Sequence, residues 1–385
     1  MKSILIVATI PDTLTAFLLP FVQHFRRAGW RVDGMANKIS ECPKCQQEFD
    51  QIWDVDWSRN PLDPKNFFVS IPKVQEIVAQ GEYDIVHVHT PVAAFVTRYA
   101  LKSSQAKGLL QVFYTAHGFH FHPQGNPLKN LVFIALEKLA GKWTDCLITI
   151  NKEDTIAAKK HRLLPSESIQ FTPGIGLDIS HYSRATDEEV TVIKNELQLA
   201  STDTLLLCVA EFIPRKRHSD ILNALKNLNR PDIHLALAGR GDIFEEIQDL
   251  VKQLNLQNQV HFLGFRSDIP QLISASDGVM LNSAQEGLPR SIMEALAIGT
   301  PVIGSDIRGI QDLLEDECGL LVELGDIEGL AKAIAWVADN PELAKNIAQN
   351  GQRKIAEYDV HNVIQTYSDL YDQALIPSLT YSYQI

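Results

Sequence analysis

Gly278-Val-Met-Leu-Asn-Ser-Ala-Gln-Glu-Gly-Leu-Pro-Arg-Ser-Ile-Met-Glu-Ala-Leu-Ala-Ile-Gly-Thr-Pro-Val302-Ile-Gly304 reads as a short apolar strand, a polar loop, an amphipathic helix and a second short strand. Short β-branched runs alternating with helical periodicity are the pattern of a parallel sheet with crossover helices. The alternation extends in both directions. Downstream there is one further strand, 320–322; upstream lie 205–210, 234–238 and 260–263. In the first half, strands are predicted at 4–8, 31–35, 85–88, 111–115 and 146–150, and helices near 14–28, 71–80, 92–103, 127–141 and 152–160. The fold class is α/β.

At 385 residues the chain exceeds one ordinary core, so two domains are expected. The seam is predicted at 173–186, where Pro173-Gly174-Ile175-Gly176 is a loop signal and Thr186-Asp-Glu-Glu189 has the form of a capping box. This gives domains 1–180 and 181–358, with 359–385 forming a helix that crosses back to the first domain and a poorly ordered tail from residue 377. No run approaches the ~20 apolar residues of a membrane span. Residues 1–8 read as a buried strand, because Thr9, Pro11 and Asp12 end the apolar run too early for a signal peptide. Five cysteines, three of them alone in apolar runs, fit a reducing cytoplasm, and Cys42-Pro-Lys-Cys45 lacks the second pair of a zinc site. The net charge is −12: residues 1–180 hold 19 Lys and Arg against 17 Asp and Glu, leaving 16 against 30 beyond them. So acidic a chain is a poor partner for nucleic acid. The near-neutral first half is the part suited to an anionic membrane surface.

Parallel sheets bind ligands at the carboxyl ends of their strands. After 278–281, Glu286 and Gly287 are expected at a helix N-terminus whose N–H groups favour phosphate. Glu294 follows eight residues on, about 12 Å along a helix axis, the span from sugar to ribose in a nucleotide sugar. On spacing alone, a helix with a dipole-favoured first Glu and a solvated second one reads equally well. The cluster Arg215-Lys216-Arg217 stands at a helix start, where cations are unfavourable unless an anion is bound. His117 follows a strand and precedes Gly118, which permits close approach of backbone to a ligand. His89, His120 and His122 lie on neighbouring loops, but no carboxylate cluster or DxD pair accompanies them, so no metal or other cofactor is expected. Arg240, in Gly239-Arg-Gly241, and the stretch from Phe262 to Phe265 and Arg266 occupy two further strand-end loops.

The stretch Glu286-x7-Glu294, the following Ala295-Leu-Ala-Ile-Gly-Thr-Pro-Val302 and Gly319-Leu-Leu-Val322 resemble the donor half of glycosyltransferase family 4. His87-Val-His89-Thr-Pro91, Tyr114-Thr-Ala-His117-Gly-Phe-His-Phe121 and Leu147-Ile-Thr-Ile-Asn151-Lys-Glu-Asp154 resemble a bacterial subgroup that builds capsule, exopolysaccharide and glycan precursors on polyprenyl-diphosphate carriers. The resemblance implies a GT-B fold, two Rossmann-like domains with parallel sheets facing across a cleft. It implies a metal-independent, retaining transfer of a hexose or N-acetylhexosamine from a nucleotide-diphosphate sugar, UDP by subgroup default, to a glycan or polyprenyl-diphosphate-linked sugar. The catalytic residues would be His117 and Glu286 at the sugar and Lys216 at the diphosphate. Gly118, Gly287, Leu288, Arg240 and Phe265 would bind the donor, with Glu294 on the ribose. Glu211 occupies the place where many members carry Arg, which leaves Arg215 or Arg217 to complete the diphosphate clamp. The same fold serves nucleotide-sugar epimerases, and Glu211 would also suit a catalytically silent nucleotide-sugar-binding protein. The helix 127–142, rich in Leu and Lys, either packs its apolar stripe on the sheet or meets a lipid-linked acceptor at the membrane surface.

Overall fold

The computed structural model describes residues 1–58, 63–123 and 125–376; the tail from residue 377 lies outside the described residues. The chain forms two units, Met1–Gly176 with Val360–Ile385, and Leu177–Asp359. The division falls after Gly176 and after Asp359 rather than at 180 and 358. Its cause is local: Leu177 N donates to Tyr358 O at 2.9 Å and Leu177 bridges Asp359, so the two connecting strands pair where they enter the second unit.

In the first unit seven parallel strands, β1 (Ser3–Val7), β2 (Arg31–Ala36), β3 (Ile52–Asp54), β4 (Ile85–His89), β5 (Gln111–Ala116), β6 (Cys146–Thr149) and β7 (Ile169–Phe171), lie in the order β3-β2-β1-β4-β5-β6-β7. Side chains alternate across each strand. Ile4 and Ile6 of β1 enter one core layer, with Phe21, Phe25 and Trp30, while Leu5 and Val7 enter the other, with Val74, Val86 and Val112. The predicted helix 14–28 is interrupted, with a π-turn at Leu14–Leu18 between short α segments. Pro20 has no N–H to continue an α-helical ladder. The helix Val360–Leu375 completes the first core layer with Val363, Ile364, Tyr367 and Tyr371.

The second unit carries six parallel strands, β8 (Thr204–Val209), β9 (Ile233–Ala238), β10 (Val260–Gly264), β11 (Gly278–Leu281), β12 (Val302–Ser305) and β13 (Leu320–Val322), in the order β10-β9-β8-β11-β12-β13. Its first helix, Asp187–Glu196, begins with both halves of the Thr186–Glu189 capping box. Each sheet reverses its winding once, between β1 and β4 and between β8 and β11. Such switch points leave a crevice at the strands' carboxyl ends. Among the described residues no helix is long and apolar enough to cross a membrane.

Candidate functional site

At the switch point of the second unit the loops after β8 and β11 meet. Ala284 N donates to Arg215 O at 2.7 Å, and this contact seats Lys216 Nζ 2.6 Å from Glu286 Oε1. Both side chains are nearly buried, 12% and 10% exposed, so each charge depends on the other in a poorly hydrated place. Neighbouring loops are joined to this pair by backbone contacts. Phe212 N donates to Arg240 O, and Gly239 N to Gly264 O, both at 2.8 Å. Gly239 and Gly241 are needed here, because a Cβ on either would stand 1.9 Å from Ala210 O or 2.3 Å from Phe212 O. On the other side, Ser305 Oγ donates to Ser283 O at 2.7 Å, and Gly309 (φ +76°) lies against the Gly287 carbonyl. Ser283 is fully buried and its own hydroxyl has no partner in the structure.

The expected helix N-terminus at Glu286 and Gly287 is not there. The helix begins at Arg290, with Pro289 extended at its N-cap. A residue before proline is driven away from α geometry, which keeps Leu288 in the loop. Glu286, Gly287 and Leu288 are therefore loop residues, and the eight-residue spacing to Glu294 is not a helical rise. Glu294 is held by two donors on one oxygen: Tyr182 hydroxyl at 2.9 Å and Arg290 Nε at 3.0 Å, both to Oε1. Arg290 Nη2 also donates to the Tyr182 oxygen at 3.1 Å. Burial raises the Tyr182 pKa, so its proton stays available to the carboxylate. Neither partner was singled out from the sequence. Arg290 lies inside the quoted motif, whereas Tyr182 sits in the polar seam with no periodicity to mark it.

The three basic residues have different fates. Arg217, left-handed at φ +50°, closes on Asp220 at 2.6 Å, and Asn282 Nδ2 binds the same Asp220 oxygen at 3.1 Å. Arg215 is exposed, with a long 3.5 Å contact to Gln285 O. Glu211 is exposed. Arg240 stands 5.3 Å over the ring of Phe265, itself 70% exposed, so these two come together as a cation–π platform. Phe262 and Arg266 are not part of it: Phe262 packs against Phe212 and Phe244, and Arg266 is chelated by Glu196 and Asp268. His218 is buried and stacked on Phe212, and burial, then Lys216, lowers its pKa to about 4.

In the first unit, the end of β4 and the loop after β5 bring His89 Nδ1 and His117 Nε2 to 3.0 Å. Burial lowers His117 to about 4 and His89 well below its ordinary value, so the pair is neutral and one imidazole donates to the other. Behind them His87 binds the Tyr371 hydroxyl through Nδ1 and Thr115 Oγ1 through Nε2 at 2.8 Å. Gly118 (φ +119°) turns the chain, and the buried Asp154 accepts from Phe119 N at 3.2 Å, fixing the segment after His117. His120 is turned out against Phe133 and is not gathered with His89 and His117. Among the described residues no three His, Cys, Asp or Glu form a metal-holding group. Cys42 accepts from Cys45 N at 3.3 Å as a helix cap. At this sheet's switch point Thr9 N donates to Thr90 Oγ1 at 2.9 Å.

Residues 16–173 match the model of Glycosyltransferase Family 4, and residues 189–354 that of Glycosyl transferases group 1. The chain is 33% identical over 374 residues to EpsD, an assigned glycosyltransferase of Bacillus subtilis (strain 168), with 96% of each chain covered. It is 28% identical over 309 residues, 78% of each chain, to the UDP-Gal:alpha-D-GlcNAc-diphosphoundecaprenol alpha-1,3-galactosyltransferase of Escherichia coli. In fold it is similar to HepE of Anabaena, solved with UDP and glucose (TM-score 0.80, 22% identity, covering 97% of this chain and 100% of HepE). The chain belongs to the family 4 glycosyltransferases and has their GT-B fold.

Proposed function

We propose that this enzyme moves a hexose or N-acetylhexosamine from a UDP-sugar to a polyprenyl-diphosphate-linked saccharide, with retention of anomeric configuration, in surface polysaccharide or glycoconjugate synthesis. The observation that carries the reading is the Lys216–Glu286 pair at the switch point of the second sheet. In this reading the lysine is the cation for a leaving diphosphate and the glutamate beside it is the carboxylate for sugar hydroxyls. UDP is favoured by HepE, solved with it, and by the Escherichia coli relative, whose name gives UDP-Gal as donor and a diphosphoundecaprenol-linked sugar as acceptor.

In this reading Lys216 and the amides of Gly287 and Leu288 take the charge that develops on the diphosphate as the bond from the anomeric carbon to oxygen breaks. Glu286 orients the sugar. The acceptor hydroxyl attacks from the face the diphosphate leaves, and its proton passes to the departing phosphate oxygen. No metal and no covalent enzyme nucleophile takes part. Glu294 holds the ribose through Oε2, since Tyr182 and Arg290 occupy Oε1. The Arg240–Phe265 pair flanks the base. Arg215 supplies the second cation lost at Glu211, because Arg217 is already neutralised by Asp220; Arg215→Ala should therefore reduce turnover more than Arg217→Ala.

Incubation with UDP-galactose, UDP-GlcNAc, UDP-GalNAc and GDP-mannose, with and without a polyprenyl-diphosphate-sugar, tests the proposal. Acceptor-dependent UDP release with an α-linked product from an α-linked donor is expected. Isomerisation without acceptor would make the protein an epimerase, and binding without turnover a silent nucleotide-sugar-binding protein.

A further inference from the structure

The helix Pro127–Gly141 turns its apolar side outward. At about 100° per residue, Leu128, Val132, Ala135 and Leu139 form one stripe, and Leu131 and Leu136 flank it. In a helix covering a parallel sheet that stripe belongs against the sheet. Here the sheet side carries Asn130, Phe133, Ile134, Glu137, Ala140 and Gly141 instead, and only Ala140 and Gly141 are buried. Leu128 is 71% exposed, Leu131 64% and Val132 51%.

This orientation is held from the inner side. Glu137 Oε2 pairs with Arg98 Nη2 at 3.1 Å, and Arg98, 1% exposed, lies with its guanidinium 4.0 Å over the Tyr114 ring. Rolling the helix to hide its leucines would strand a buried cation without its carboxylate. Gly141 also packs so closely that a Cβ there would stand 2.0 Å from Leu163 O.

The same pairing settles the charge of the outer face. Glu137 is the helix's one acid, and it points inward. Lys129 and Lys138 then lie on the two sides of the apolar stripe, and Lys142 beyond its end, all exposed. Lysine stems lie along apolar surface while their ammonium groups seek anions. We propose that this face docks the protein on an anionic lipid bilayer, with the leucines entering the boundary between headgroups and acyl chains and the lysines meeting lipid phosphates. A second copy of the chain fits less well, because it would set lysines against lysines across the contact. The purpose of the docking rests on the lipid-linked acceptor proposed above; the docking itself does not depend on it.

Flotation of the full chain with vesicles of phosphatidylcholine alone, or of phosphatidylcholine mixed with phosphatidylglycerol, tests the proposal. Binding to the mixed vesicles that weakens with salt is expected. Lys129→Glu with Lys138→Glu, and separately Leu131→Ser with Val132→Ser, should each reduce it by about tenfold or more. Far-ultraviolet circular dichroism and UDP affinity should stay at wild-type values in both variants, which keeps this test separate from that of the activity. Absence of binding to mixed vesicles would overturn the proposal, as would binding that neither pair of substitutions reduces. Self-association that Leu131→Ser with Val132→Ser abolishes, without vesicle binding, would assign the face to a second copy.

Discussion

Replacing Lys216 by Met should remove a cation and also expose an anion. Its Nζ is 2.6 Å from Glu286 Oε1, so a phosphate oxygen bonded to that ammonium lies no more than about 5 Å from the carboxylate. With Lys216 in place, its ammonium at hydrogen-bond distance more than offsets the carboxylate, which stands about twice as far from the same phosphate oxygen. Without it, the bare carboxylate faces the diphosphate at that separation, and at an effective dielectric of about 20 the repulsion is about 3 kcal/mol, roughly a hundredfold in affinity. Lys216→Met should therefore weaken UDP binding by at least about two orders of magnitude. Adding Glu286→Gln should restore at least about tenfold of it, although the double variant stays inactive. Titration calorimetry with UDP on variants whose thermal unfolding remains cooperative gives both numbers. If the double variant binds UDP no better than Lys216→Met, the carboxylate is not beside the diphosphate and the assignment of this pair fails.

Tyr182→Phe should lower UDP affinity about three- to tenfold, the worth of one hydrogen bond to a charged group shared with Arg290. It should also narrow the preference for UDP over 2′-deoxy-UDP; an unchanged preference would remove Glu294 from the ribose. Gly309→Ala, whose Cβ would stand 2.0 Å from Gly287 O, should displace the loop bearing Glu286 and weaken UDP binding by about tenfold or more, while Gly325→Ala, near no backbone, serves as control. Acid should destabilise the first unit. Burial lowers His87 to about 3 and His117 to about 4, so above pH 6.5 they are neutral folded or unfolded, and below it only the unfolded chain takes up their protons. Stability is then lost as pH falls from 6.5 towards 4, by about 1.4 kcal/mol per pH unit for each histidine, or about 3 kcal/mol between pH 7.5 and 5.5. Urea unfolding at those two pH values should show it, and a flat profile would mean that the two histidines are hydrated.

The central strands were legible because their buried runs, such as 4–8 and 205–210, have no other use. The edge strands β3 (Ile-Trp-Asp) and β7 (Ile-Gln-Phe) were not, since three residues of mixed polarity carry no period, whereas the equally short β13 is the all-apolar Leu-Leu-Val. Spacing found Glu286 and Glu294, but Pro289 moved the helix start and with it the source of the N–H groups. Tyr182 reaches Glu294 across 112 positions, a contact that no local pattern encodes. The helix Pro127–Gly141 was read with its correct ends, yet periodicity reports only that a stripe exists. Which way it faces is decided by Arg98, 39 residues upstream of Glu137.

The return of Val360–Leu375 to the first unit bears on how the molecule is made. Residues 177–359 are one uninterrupted segment, and every buried residue of their core lies within it, so that core can close before the last helix is made. The first-made half must wait, because the aromatic layer over β1 and the hydroxyl partners of His87 and Thr115 come from Tyr367 and Tyr371. During synthesis the second unit is thus the first to be finished, and Phe21, Phe25 and Trp30 stay uncovered until the helix beginning at Val360 arrives.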